Sequence, residues 1–287
     1  MGIFFFVMVI LLAAWFFVRI EPLLGHPHIE RLTHFHSSLA ADRRKVVICL
    51  GDSLTHGNAS FDYVHSLASR LEPSGYTVLN AGINSELAWN VLQRIDDVIR
   101  SEPAIIVLLI GTNDARACEN PDEARTYVKR MKLPEKPDEA FFYDNYRALL
   151  DRLAEGENLR PILLTLPPLG ERRNEGIDDY VDRFNRFIEE EAASRGFACL
   201  PLEAKLREYL IADSSEEAPA YGSDASNRLI YKALFFHYLL GWNWDRIAEQ
   251  SGMRLLTDMI HLNERAGEIL VDLVEAEIRR QGEGVEG

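Results

Sequence analysis

Hydrophobic residues gather along this chain into one long run and then five short ones. The long run, residues 1–18 (MGIFFFVMVILLAAWFFV), holds no charged side chain and ends at Arg19. The short runs are residues 46–50 (VVICL), 77–80 (TVLN), 104–110 (AIIVLLI), 161–166 (PILLTL) and 196–201 (GFACLP). Their apolar positions are continuous, not alternating, as expected of parallel strands covered on both faces. Amphipathic stretches fill the gaps at 61–71, 88–100, 143–153, 178–195 and 264–280, the last with Ile269, Leu270, Leu273, Val274 and Ile278 on one stripe. Alternating strand and helix predict an α/β chain. The architecture would be a three-layer α/β/α sandwich around a mainly five-stranded parallel sheet, with right-handed crossovers. Ligands of such sheets bind outside the carboxyl ends of the strands.

Two segments stand outside this repeat. Residues 116–138 are charged and punctuated by proline, and read as a surface excursion after the third strand. Residues 214–252 begin polar (SSEEAPAYGSDASN) and continue as LIYKALFFHYLLGWNW, a predicted helix. Within it, residues 229–244 fit either a buried helix packed on the sheet, which aromatic residues at helical spacing favour, or a lipid-contacting lid. The domain plan is therefore 1–19 as a transmembrane anchor or signal segment, 20–45 as a juxtamembrane linker, and 46–287 as one α/β domain with an insertion at about 214–252.

Eighteen helical residues span about 27 Å, enough for an untilted crossing of a bilayer core. A cleaved signal peptide would want a basic start and a small-x-small site, where Trp15, Phe16 and Phe17 stand instead. Single-pass membrane anchoring is the favoured reading; secretion after cleavage is its alternative. Arg19, Arg31, Arg43, Arg44 and Lys45 follow the run, which by the positive-inside rule places the domain on the cytosolic face. Three widely spaced cysteines, Cys49, Cys118 and Cys199, form no disulfide framework and have no metal-ligand spacing. The pairs His26/His28 and His34/His36 sit in the linker without a scaffold or a nearby cysteine, and read as solvated. A formal net charge of -14 excludes a nucleic-acid partner.

Chemistry-bearing residues follow the predicted strands. Gly51-Asp52-Ser53-Leu54 comes directly after the first run. A glycine there allows a tight turn that holds a serine hydroxyl over the sheet edge, though the same tripeptide also serves as a turn capping the next helix. The segment lacks the G-x-S-x-G elbow of α/β-hydrolases. Gly111-Thr112-Asn113-Asp114 occupies the equivalent place after the third run. The Asn113 amide suits an oxyanion, or equally an Asx-turn. Gly82 follows the second run, and its N–H is a further candidate donor beside that of Ser53. Before the last helix stands Asp258-Met259-Ile260-His261. That spacing suits an imidazole oriented by a carboxylate, or an acidic helix cap beside a surface histidine. His56, three residues after Ser53, is a rival base.

Taken in order, GDSL, the glycine after the second strand, GTND and DxxH resemble the SGNH/GDSL hydrolase family, over roughly residue 46 to the final helix. The resemblance implies a flavodoxin-like fold and a serine ester hydrolase that needs no metal or cofactor. It implies Ser53 as nucleophile, His261 as general base, Asp258 as the orienting acid, and Ser53, Gly82 and Asn113 as oxyanion-hole donors. The second block, AGINSELAWN, departs from the smaller, Ser/Thr- and Gly-rich continuation of many members, and Glu86 and Trp89 there are expected to reshape the pocket. The expected substrate is a small-molecule or lipid acyl ester, including a lysophospholipid or an acetyl ester. An acyltransferase sharing the acyl-enzyme, and a membrane-tethered module that only binds, are the alternatives.

Overall fold

The computed structural model describes residues 46–156, 158–173, 176–212 and 218–283. The uncharged run and the histidine pairs lie outside the described residues, and so do the expected anchor and linker. Among the described residues no helix is long and apolar enough to cross a membrane.

Five strands, β1 (Val46–Gly51), β2 (Thr77–Gly82), β3 (Ile105–Leu109), β4 (Arg160–Leu164) and β5 (Ala198–Leu200), form one sheet in the order β2-β1-β3-β4-β5. Every pairing is parallel. Strands β1 and β3 are buried throughout, whereas the edge strands β2 and β5 are half-covered. That gradient explains why the central runs are unbroken and strongly apolar while TVLN at the edge is mixed.

The helices are α1 (Ser53–His56), α2 (Tyr63–Leu71), α3 (Ala88–Ile99), α4 (Thr112–Glu119), α5 (Pro121–Arg130), α6 (Glu139–Ala154), α7 (Ile177–Arg195), α8 (Leu202–Ala212), α9 (Ser223–Leu240), α10 (Trp244–Gln250) and α11 (Glu264–Glu283). Helices α2, α8 and α11 pack together on one side, and α3, α6 and α7 on the other. The Phe142 and Phe184 rings stack at 4.0 Å between α6 and α7. The three-layer sandwich expected from the sequence is the fold observed.

Two expectations are corrected. Residues 116–138 are no loose excursion, because α4 and α5 occupy most of their first half. Asn120 caps α5 by accepting from the Asp122 N–H, with Pro121 in the first turn. Ala117, Ala124, Tyr127 and Leu133 then close a small satellite core around Leu87. The aromatic stretch at 229–244 is not one buried helix. Gly241, at φ 66, ends α9, and Asn243 caps α10. The inner side of α9's second half packs with Ala59, Trp244 and Ile247, apart from the main core, and its outer side faces solvent.

The site rests on the carboxyl ends of β1 and β2, where register pairs Gly51 with Gly82. A Cβ on Gly82 would sit 2.2 Å from the His56 backbone nitrogen, and one on Gly51 2.2 Å from the Leu109 carbonyl oxygen. The bare end of β2 lets the α1 backbone lie directly on it, and the bare end of β1 admits the Thr55 side chain and the Leu109 carbonyl. Gly82→Ala should therefore force α1 off the sheet and cost about 1–3 kcal/mol of overpacking. Thermal unfolding checks this, and an unchanged midpoint would contradict the close approach.

Candidate active site

Asp52 caps α1, its Oδ1 accepting from the Leu54 N–H at 3.0 Å. The capping-turn reading of GDSL is thus correct, and it is compatible with an outward hydroxyl. Ser53 is half-exposed while Gly51, Asp52, Leu54 and Thr55 around it are buried. Its Oγ lies 2.9 Å from His261 Nε2, and His261 Nδ1 lies 2.7 Å from Asp258 Oδ2. Folding thus joins residues 208 apart in sequence into one hydrogen-bonded line. His56 is buried in the last turn of α1, and the ring that meets Ser53 is that of His261.

The segment carrying Asp258 and His261 is held by backbone bonds. Buried Glu171 accepts from three consecutive N–H groups, those of Arg254, Leu255 and Leu256, at 2.6–2.8 Å. Thr257 N–H donates to the His261 carbonyl and Gly170 N–H to that of Met259, while Ser60 Oγ and the Leu262 backbone exchange two bonds. Met259 takes a left-handed φ of 75, which closes the tight turn between the acid and the histidine. No sequence signal marks Glu171, because its partners lie more than eighty positions away.

On the other side, Asn113 stands in the first turn of α4, in place of the loop the sequence suggested. Its Oδ1 accepts from the Tyr127 hydroxyl at 2.6 Å, which fixes the amide's orientation. Its Nδ2 donates to the Glu86 carbonyl at 2.9 Å and, more weakly, to Asp52 Oδ2 at 3.3 Å. Tyr127 in turn accepts from Arg116 Nη1, and Arg116 also reaches Glu123, Tyr221 and Asn227. Arg116 and Tyr127 belong to the segment read as surface, and only α5's packing brings them in.

Gly82 departs from its expected role. Its N–H donates to the Asn80 side chain at 2.9 Å, so this group is already spent at the strand end. Three residues on, Ser85 has a φ of 67, a left-handed conformation uncommon for serine. The N–H groups of Ser53 and Ser85 donate to no backbone acceptor among the described residues. Residues 83–86 lie between the end of β1 and Asn113, since Ile83 N–H donates to the Gly51 carbonyl and Glu86 accepts from Asn113. The positive φ of a non-glycine residue leaves no trace in sequence, which is why Ser85 was missed. The Glu86 carboxylate is buried against Arg94, which also donates to the Ala81 carbonyl, and Trp89 packs on the satellite core.

Three buried aspartates meet here in different states. Burial opposes the charge of Asp258, but the His261 ring and two backbone N–H donors outweigh it and hold this carboxyl below the usual range. Asp52 is pushed up to about 7 by burial, against the Leu54 N–H and His261, and with the Glu86 charge adding to the rise. Asp114 is also pushed up to about 7, by burial first and by the Asp52 charge. Burial raises the Cys49 thiol to about 12, so this cysteine is an inert core group. Among the described residues no group of His, Cys, Asp or Glu side chains is arranged to hold a metal ion.

A carboxyl whose folded pKa lies above its unfolded value binds more protons when folded, so stability falls as pH rises from about 4 to about 7. Asp114→Asn removes that term. Its melting temperature should exceed that of the parent by a margin that widens by at least about 2 °C between pH 5 and pH 8. Parallel melting curves across that range would contradict the assignment.

The chain matches the GDSL-like Lipase/Acylhydrolase family over residues 49–266. Comparison with curated proteins finds no match. Among solved structures, the acetyl xylan esterase AlAXEase is similar with a TM-score of 0.58 and 20% identity, covering 81% of this chain and 99% of that one. A catalytic mutant of Axe2, an acetylxylan esterase from Geobacillus stearothermophilus, gives 0.55 and 15%, covering 84% and 96%. LAE5, an alpha/beta hydrolase enzyme from the metagenome of Lake Arreo, Spain, gives 0.54 and 15%, covering 81% and 94%. At such identities these structures speak for the fold. The family match covers most of the chain, which belongs to the GDSL-like lipase/acylhydrolase family and is on that ground a carboxylic ester hydrolase.

Proposed function

We propose that this protein hydrolyses a short-chain acyl ester through a serine acyl-enzyme, with Ser53 as nucleophile. The observation that carries the reading is the line Ser53 Oγ, His261 Nε2, His261 Nδ1, Asp258 Oδ2, with hydrogen-bonding distances of 2.9 and 2.7 Å. An alcohol is a poor nucleophile until a base takes its proton, and a base so placed can do so as the C–O bond forms. The short acyl group is supported by the acetyl xylan esterases among its structural neighbours.

In this mechanism Ser53 Oγ attacks the ester carbonyl carbon while His261 Nε2 takes its proton. The ionised Asp258 carboxylate balances the positive ring and keeps Nδ1 protonated. Negative charge on the former carbonyl oxygen is met by the N–H groups of Ser53 and Ser85 and by Asn113 Nδ2. The 3.3 Å contact from Asn113 to Asp52 is long, so that hydrogen is the one an oxyanion would take over. Collapse expels the alcohol with the proton from His261. Water then attacks the acyl-enzyme, His261 again accepting a proton, and the acid departs with Ser53 restored.

Tyr127 acts through Asn113 as a positioning residue. With Oδ1 held by a hydroxyl donor, the amide cannot flip its oxygen toward the developing negative charge.

The test is hydrolysis of a p-nitrophenyl ester series from acetyl to palmitoyl. Acetyl hydrolysis should lead the series, and Ser53→Ala should abolish both it and labelling by a fluorophosphonate. Activity retained in the folded variant would remove Ser53 as nucleophile, and long-chain preference would overturn the short acyl pocket. Asn113→Ala should lower kcat by about 10²–10³. Tyr127→Phe should lower kcat by about tenfold with KM little changed, the pattern of an interaction made in the transition state. An equal loss in KM alone would contradict positioning.

A further inference from the structure

Helix α9 spans the carboxyl edge of the sheet beside the site. Near its start, Tyr221 and Asn227 contact Arg116, and Asn227 Nδ2 donates to Glu123. Near its end, the Tyr238 hydroxyl donates to the Asn58 carbonyl at 2.6 Å, five residues beyond Ser53. Its inner side is fixed by a stack of His237 on Trp244 at 3.9 Å and by packing on Ala59.

The outer side is chemically unlike the rest of the surface. Tyr231, Phe235, Tyr238, Leu239 and Leu240 are 38–57% exposed, five of the six exposed large hydrophobic side chains among the described residues. Positions 231, 235, 238 and 239 fall on one helical stripe. The Tyr238 hydroxyl already has a partner in the Asn58 carbonyl. A contiguous apolar stripe in water is costly and marks a contact surface.

We propose that this stripe docks on the surface of a phospholipid bilayer, with its rings and leucines at the level of the headgroup–acyl boundary. Three observations select lipid. The stripe mixes aliphatic with aromatic side chains, the composition of an interfacial helix, whereas a sugar platform needs hydrogen-bonding groups among its rings. In a chain of net charge -14, α9 carries one carboxylate, Asp224, and two cations, Arg228 and Lys232, so it is the part an anionic headgroup layer repels least. The same chain also carries the 18-residue uncharged run, and the 27 residues from 19 to 45 reach about 90 Å when extended. A domain of this size is about 45 Å across, so a run held in a bilayer lets the carboxyl edge turn onto the same bilayer. Docking there would hold Ser53 close to the lipid surface. The inference stands on the surface chemistry of α9 and does not require the esterase reading.

The experiment uses the full chain reconstituted into phosphatidylcholine vesicles, with tryptophan placed by Phe235→Trp or Leu239→Trp. Glu190→Trp, at an exposed position on α7, is the reference. Fluorescence is read against the parent, which has its own tryptophans. Bromination of the lipid acyl chains should quench the added residue at 235 and 239 at least about twofold more than at 190, with 190 alone open to aqueous iodide. Quenching at 235 and 239 by iodide without an effect of the brominated lipid would overturn the proposal. So would shielding from both quenchers, which would mean that another copy or another part of this chain covers the stripe. Equal lipid quenching at all three positions would overturn it as well, because α9 would then not be the docking face.

Discussion

The backbone of α1 lies directly on the end of β2 at Gly82, and beside it the bare Gly51 leaves room for the Leu109 carbonyl of β3 and the Thr55 hydroxyl of α1. The approach sets Ser53 at the sheet edge, with its neighbours buried and its hydroxyl within reach of His261. It also sets Asp52 beneath the site, where one oxygen caps α1 and the other meets the Asn113 amide. A side chain at Gly82 would push α1, and Ser53 with it, away from the strand end.

Around that contact the protein holds each reactive group through backbone bonds and buried polar partners, not through the sheet alone. Glu171 gathers three N–H groups to fix the segment that carries Asp258 and His261. Arg116 and Tyr127 fix the amide on the opposite side. Such groups are costly to bury unless satisfied, so each network tolerates few arrangements, and this keeps loop residues in register with one another. The three aspartates show how local environment, with residue type held constant, decides charge. Asp258 stays ionised because a ring and two N–H groups face it, whereas burial pushes Asp52 and Asp114 toward the neutral form.

Helix α9 links this site to the outside. One end is tied to the Arg116 network, the other to the loop after Ser53, and its free face is apolar. Its aromatic residues suggested a core helix because spacing alone reports that a helix has an apolar side. Whether that side meets the sheet, a partner or a solvent boundary depends on where the helix is set down, and here Gly241 and the stacking of His237 on Trp244 decide it.

The five-stranded sheet was legible in the sequence, and so was the placing of the GDSL, GTND and DxxH segments after its strands and before its last helix. Continuous apolar runs at 46–50 and 104–110, short and rich in β-branched residues, point to strands covered on both faces, and GDSL, GTND and DxxH sit at places the topology sends to one edge. These features are local, since periodicity and turn residues act within a few positions of the chain. Tertiary structure decided what depends on distant partners. Gly82 lost its N–H to Asn80, Ser85 took a left-handed φ, and a charged stretch at 116–138 became two packed helices that orient Asn113. The physical reason is the same in each case. A hydrogen bond or a burial is a property of two surfaces brought together, and the sequence around either one alone does not contain the other.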